Sequence, residues 1–122
     1  MVCLLDDDPS VLKATRRLLL SAGMEVEAFD DPILFLEHVR THQPDVALVD
    51  IWMPRMNGLE VQSRLRCESP STRVIILTSK DDPSTRAQAM KGGAAAFFLK
   101  PADDCELLAG IEAAAAKNPS RN

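Results

Sequence analysis

Short apolar runs alternate along this chain with longer stretches in which apolar residues recur every three or four positions. Val2–Leu5 is wholly apolar and stops at Asp6. From Pro9 onward, Val11, Leu12, Thr15, Leu18, Leu19 and Ala22 fall on one helical face. Asp8 is placed as the N-cap of that helix and Gly23 as its stop. Residues 24–29 alternate weakly and read as a second strand, and Asp31-Pro32 opens a helix to about Thr41. Residues 45–49 read as a buried strand that ends at Asp50. Met53-Pro54 and Asn57-Gly58 are turn signals, and a helix follows from Leu59 to about Cys67. Residues 73–77 carry the strongest β pattern in the chain, with Thr78 ending it. Asp82-Pro83 opens a less apolar helix to Lys91, stopped by Gly92-Gly93, and residues 94–99 are a fifth apolar run ending at Lys100-Pro101. A last helix starts near Asp103, has Leu107, Leu108, Ile111, Ala114 and Ala115 on one face, and stops at Asn118-Pro119.

Five strand–helix units in succession imply an α/β fold: a doubly wound, five-stranded, mainly parallel sheet with helices on both faces. Such a sheet binds ligands just beyond the carboxyl ends of its strands. Here the strands end at Asp6-Asp7, Asp30-Asp31, Asp50, Thr78-Ser79 and Lys100. Acids, a hydroxyl and an ammonium group are thereby delivered to one rim.

Composition narrows the function classes. A chain of 122 residues suits one domain, and its 46% hydrophobic and 26% charged residues are those of an ordinary globular protein. Residues 1–116 make up that domain; 117–122 form a polar tail, read as the start of a linker to an effector domain. Eighteen acidic residues against fourteen basic ones argue against direct nucleic-acid binding by this segment. No apolar run approaches a membrane span, and no basic, apolar leader precedes the acidic cluster. Cys3, Cys67 and Cys105 have no metal-ligand spacing and read as free thiols in a reducing, cytoplasmic setting.

Three carboxylates at adjacent strand ends repel one another unless a cation separates them. A hard divalent ion such as Mg²⁺ suits one or two carboxylates, waters and phosphate oxygens. Lys100 supplies a mobile charge and Thr78 a hydroxyl for phosphoryl oxygens, so one carboxylate can serve as a nucleophile and form an acyl phosphate. Local chemistry does not decide which carboxylate. Asp50 stands alone before an irregular turn, which suits an acceptor, whereas the Asp6-Asp7 pair suits a metal.

Leu4-Leu5-Asp6-Asp7-Asp8, Asp50-Ile51-Trp52-Met53-Pro54-Arg55-Met56-Asn57-Gly58, Ile75-Ile76-Leu77-Thr78-Ser79 and Phe97-Phe98-Leu99-Lys100-Pro101, in that order and spacing, resemble the receiver domain of bacterial two-component response regulators. The resemblance runs from about Val2 to Ala116. It implies a flavodoxin-like fold with strand order 2-1-3-4-5. It implies that Asp50 accepts a phosphoryl group from the phosphohistidine of a sensor histidine kinase, with no turnover of an external substrate. Asp6, Asp7, Asp50 and the backbone carbonyl of Trp52 would hold Mg²⁺ (or Mn²⁺). Thr78, Ser79 and Lys100 would contact the phosphoryl group, and Phe97 would occupy the switch-aromatic position. The signal would leave through the face formed by the fourth helix, fifth strand and fifth helix, which is also a homodimer surface in this reading. The output expected is transcription control; a stand-alone receiver or phosphorelay intermediate is the alternative. Trp52 and Lys80, two residues after Asp50 and Thr78, are expected to border the phosphoryl group and tune its lifetime.

Plainer roles stand beside these. Asp8 and Asp31 suit helix caps, Asp103 and Asp104 suit a helix dipole, and His38 and His42 suit a helix end more than a metal site. Phe97 and Phe98 point to opposite faces and are both candidates for packing. A haloacid-dehalogenase-type phosphatase also uses Asp, Mg²⁺, Thr or Ser and Lys, and Asp6-Asp7-Asp8-Pro9-Ser10 imitates its opening motif, but the short chain and the segment from Asp50 to Gly58 speak against it. A degenerate receiver acting only as an interaction module is a second rival, and the intact Asp50, Thr78 and Lys100 oppose it. A flavodoxin-like cofactor protein would need a phosphate-cradling loop where the aspartates stand.

Overall fold

In the computed structural model, which describes residues 1–117, the strands are β1 (Val2–Leu5), β2 (Val26–Phe29), β3 (Val46–Val49), β4 (Arg73–Thr78) and β5 (Ala96–Leu99). The helices are α1 (Pro9–Ser21), α2 (Pro32–His42), α3 (Gly58–Glu68), α4 (Pro83–Lys91) and α5 (Asp104–Ala116). All strand pairs are parallel and the order is β2-β1-β3-β4-β5. The alternation in the sequence therefore yields the doubly wound sheet it implies.

Sheet alternation divides the core in two. Cys3, Leu5, Ala47, Val49, Val74 and Ile76 face Phe35, Leu36 and Val39 of α2, Val61 and Leu65 of α3, and Ala89 of α4. Val2, Leu4, Val46, Leu48, Ile75 and Leu77 face Leu19 of α1 and Leu107, Ile111, Ala114 and Ala115 of α5. Phe97 packs on the first cluster and Phe98 on the second, as their opposite facing requires. Burial pushes the Cys3 thiol up to about 12, consistent with a small core residue.

Each helix starts on an aspartate or asparagine whose side chain accepts a backbone N–H: Asp8, Asp31, Asn57, Asp82 and Asp103. Such caps are each worth about 1 kcal/mol. They also place every helix start directly after the rim residues.

Several boundaries differ from those expected. The second strand starts at Val26, because Gly23, at φ 82°, turns the chain and the Met24 amide still closes α1 on the Leu19 carbonyl at 3.1 Å. The fifth strand starts at Ala96, because the Ala94 amide closes α4 on the Ala89 carbonyl at 3.1 Å. Gly58 opens α3 one residue before the expected Leu59. Ala22, expected on the buried face of α1, is exposed, and Leu19 is the fully covered member of that stripe. His38 and His42 stack with centroids 3.9 Å apart, and His42 Nδ1 lies 3.1 Å from the His38 carbonyl, a helix-end arrangement. The expected stop at Asn118-Pro119 and nearly all of the 117–122 tail lie outside the described residues. Among those described, no helix is long and apolar enough to cross a membrane.

Burial gives a direct contrast within α2. Phe35 is 0% exposed whereas Leu34 is 53% exposed. Phe35→Ala is expected to cost about 3–5 kcal/mol and Leu34→Ala less than about 0.5 kcal/mol in urea unfolding. Equal costs would contradict this assignment of the core face.

Candidate functional site

The parallel ladder continues one step past the strand ends. The Asp6 amide donates to the Phe29 carbonyl at 3.1 Å, the Asp50 amide to Leu5 at 2.9 Å, and the Lys100 amide to Thr78 at 2.8 Å. The backbone of these three residues is thus held in register by the sheet. Asp6 and Asp50 are each 5% exposed and Thr78 is 0% exposed, while Asp7 is exposed.

Carboxylate oxygens of Asp6, Asp7 and Asp50 all lie within 4.8 Å of one another. Lys100 Nζ ion-pairs with Asp6 Oδ2 at 2.5 Å and stands 3.7 Å from Asp50 Oδ1. One cation therefore faces three carboxylates. Burial, and then the nearby Asp6 charge, push the Asp50 carboxyl up to about 6, although Lys100 pulls it down. Two buried atoms at this rim have no hydrogen-bond partner: Asp50 Oδ1 and Thr78 Oγ1. Unpaired buried polar atoms are costly and call for a partner. A cation and an oxyanion, respectively, would supply one.

A cavity of about 580 Å³ opens at the rim. Asp6, Asp7, Asp50, Trp52, Ser79 and Lys100 line it, with Val11, Leu18, Leu77 and Leu107 as an apolar wall. The structure thus brings the expected acids, lysine and serine together. Lys80 lies at the same end of the sheet, and its Nζ sits 4.9 Å from the centroid of the exposed Trp52 ring. Phe97 lies off the cavity, partly buried against the core, with the Arg86 guanidinium carbon 5.2 Å from its ring centroid.

Three supporting residues escaped the sequence reading. Gly58, read there as a turn signal, is buried where a Cβ would stand 2.3 Å from the Asp50 carbonyl oxygen, and its amide donates to the Ile51 carbonyl at 2.8 Å. A side chain cannot fit there without moving the loop that follows β3. Asp104, assigned to the dipole of the last helix, also lines the cavity. Arg55 bridges the loop after β3 to the α2 cap Asp31 at 3.1 Å. The Asn57-Gly58 pair signals Gly58 only as a turn, because close approach of two backbones is invisible in sequence.

A family model described as "Response regulator receiver domain" matches residues 2–112. This chain belongs to the response regulator receiver family. It is 36% identical over 114 residues to the response regulator protein TodT of Pseudomonas putida, covering 93% of this chain and 50% of TodT. It is 38% identical over 108 residues to the response regulator MprA of Mycobacterium leprae, covering 88% of this chain and 47% of MprA. The chain thus spans about half the length of these curated relatives. A CheY-like receiver from Methanospirillum hungatei JF-1 superposes with a TM-score of 0.91 at 25% identity, covering 98% of this chain and 95% of that one. The chain is accordingly a receiver domain of two-component signalling, with the flavodoxin-like topology of that family. Receiver domains bind Mg²⁺ at an acidic pocket, and Asp6, Asp7 and Asp50 form a cluster of the right chemistry.

The raised carboxyl gives a signed prediction for the metal-free protein. Folded Asp50 holds its proton up to about pH 6, above the value of 3.8 for the free group. Its contribution is therefore most favourable below pH 4 and is lost as pH rises through 6. Asp50→Asn, measured with a chelator present, is expected to stabilise the fold by about 1–3 kcal/mol at pH 8. The gain should shrink on acidification to pH 4. A pH-independent effect, or destabilisation at pH 8, would contradict the electrostatic account. Gly58→Ala should destabilise the fold at both pH values.

Proposed function

We propose that this receiver takes a phosphoryl group on Asp50 from a phosphohistidine of a sensor histidine kinase and passes the signal on by changing a surface. The observation that carries this reading is the cluster of Asp6, Asp7 and Asp50 carboxylates with Lys100 at an open cavity, where buried Asp50 Oδ1 has no hydrogen-bond partner; the Thr78 hydroxyl, at the end of the neighbouring strand, also has none.

In this reading an Asp50 carboxylate oxygen attacks phosphorus. The new O–P bond forms as the N–P bond breaks, and the imidazole leaves with the bonding pair. Lys100 moves from the Asp6 carboxylate toward a phosphoryl oxygen, which its flexible stem allows. Thr78 donates its unpaired hydroxyl to a second oxygen, and the Ser79 amide suits the same group. Asp6, Asp7, Asp50 and the Trp52 carbonyl would hold Mg²⁺ or Mn²⁺, which when bound supplies charge neutralisation at the acceptor. Phe97 then follows Thr78, and the face of α4, β5 and α5 changes its packing. Exposed Met90 and Leu99 on that face suit a homodimer or output contact. Phe97 has no hydroxyl, so this switch uses no tyrosine hydrogen bond.

The relatives TodT and MprA are named response regulators and are about twice as long as the matched segment. Their extra length supports residues 1–116 as the receiver and 117–122 as the start of a connection to an output domain. Transcription control is the output proposed. A phosphorelay role through the same site is the alternative. A cytoplasmic location fits a partner kinase that presents its phosphohistidine there.

Incubation with a small phosphodonor and Mg²⁺ should add one phosphoryl group per chain, mapped to Asp50, and Asp50→Asn should take up none. Labelling that persists in Asp50→Asn, or continuous release of phosphate from a phosphomonoester, would overturn the reading. Trp52 lines the cavity with Asp50 and carries Lys80 over its ring, which supports a joint role in shielding the acyl phosphate or steering the attacking water. Trp52→Ala and Lys80→Ala should each change the dephosphorylation rate several-fold, and the double variant should not be additive. Unchanged rates would remove both residues from the lifetime role.

A further inference from the structure

Helix α4 is attached to the rest of the molecule asymmetrically. It has no apolar stripe, and Thr85 and Ala89 are its buried residues. Hydrogen bonds of its first turns stay local. Asp82 caps the Ser84 amide and accepts the Thr85 hydroxyl at 2.7 Å, and the Gln88 amide reaches Ser84. Its far end is tied across to α3. Gln62, 3% exposed, donates through Nε2 to the Ala89 carbonyl at 2.8 Å. The same amide presses on Gly92, where a Cβ would come within 3.0 Å of Gln62 Oε1. Buried Thr85 aside, the first half of α4 has, among the described residues, one hydrogen-bonding, ionic or ring contact from a side chain to another element: Arg86 over the Phe97 ring.

These two attachments differ in kind. A buried hydrogen bond between an amide and a main-chain carbonyl has no alternative partner in water and persists. A cation–π contact from an exposed arginine is weak and is made or broken by a small turn of the ring. The weak contact sits next to the segment 78–82, which leads directly from the acceptor rim into α4.

We infer that α4 is a lever: the Gln62–Ala89 hydrogen bond is its fixed pivot, and the Arg86–Phe97 contact is a releasable clasp that holds its first half in the resting position. The inference rests on the phosphoacceptor reading, in which Phe97 follows Thr78. Turning Phe97 inward withdraws the ring from Arg86 and frees the first half of α4, while Gln62 retains the second. Arg86 and Gln62 are positioning residues; neither touches the reacting atoms. Because the clasp favours the resting state, it also opposes phosphorylation, by thermodynamic linkage.

Amide exchange read by mass spectrometry tests this in wild type, Arg86→Ala, Arg86→Lys, Gln62→Leu and Gly92→Ala. Each protein is measured unmodified and after a small phosphodonor with Mg²⁺, with Asp50 labelling read in the same samples. In unmodified Arg86→Ala, exchange over residues 84–88 should rise about two- to fivefold, and Arg86→Lys, which keeps a cation over the ring, should remain near wild type. Gln62→Leu and Gly92→Ala should instead raise exchange about fivefold at residues 92–94, in both states. Phosphorylated wild type should match Arg86→Ala over residues 84–88 and remain protected at 92–94. Unchanged exchange in Arg86→Ala, or equal loosening of both halves by every variant, would overturn the lever. Loosening of residues 92–94 on phosphorylation would overturn it too. If wild type takes up no phosphoryl group, the phosphoacceptor reading and the linkage drawn from it fail, and the unmodified comparison still decides whether clasp and pivot are separate.

Discussion

Mutual repulsion among Asp6, Asp7 and Asp50 is the constraint around which this molecule is built. Three carboxylates share a few ångströms with one lysine. A parallel sheet makes this possible, because its ladder hydrogen bonds hold the backbone of Asp6 and Asp50 in place whatever their charges prefer. The cost falls on Asp50, whose carboxyl is pushed toward the neutral form first by burial and then by the Asp6 charge. Active sites store instability of this kind where a ligand is to relieve it. The loop after β3 is held just as firmly: Gly58 packs on the Asp50 carbonyl with no room for a side chain.

Much of this was legible in the sequence because strand ends are where apolar runs stop. Asp6, Asp50, Thr78 and Lys100 each follow such a run, and a doubly wound sheet gathers strand ends on one rim. The caps were equally readable, since aspartate before proline marks a helix start through local chemistry alone. What escaped depends on approach between distant segments. The Lys100 ammonium rests on Asp6, 94 positions away, and Lys80 reaches the Trp52 ring from another loop. Gln62 gave no signal, because one buried glutamine on an amphipathic helix looks like any polar residue. The starts of β2 and β5 were misplaced by two residues each, because glycine-terminated helices keep their closing hydrogen bonds beyond the last helical turn.

The same contrast between fixed and adjustable parts runs outward from the rim. The backbone of Asp50 is held by the sheet ladder, whereas Lys100 has a flexible stem, the Thr78 hydroxyl has no hydrogen-bond partner and Phe97 is only partly covered. Helix α4 repeats the pattern, with a buried amide at one end and an exposed guanidinium at the other. A rigid scaffold with a few loosely held groups can have two closely spaced states, which a signalling domain requires.

The central claim is that the carboxylate cluster exists to take a divalent cation beside a phosphoryl acceptor. Trp52, the single tryptophan of the chain, lines that cavity and reports on it by fluorescence. Titration of the metal-free protein with Mg²⁺ near pH 6 should give a saturable change in Trp52 emission, accompanied by release of protons from Asp50. In Asp7→Asn the affinity should fall about tenfold or more. Absence of saturable Mg²⁺ binding, or binding indifferent to Asp7 and to Asp50, would contradict the account.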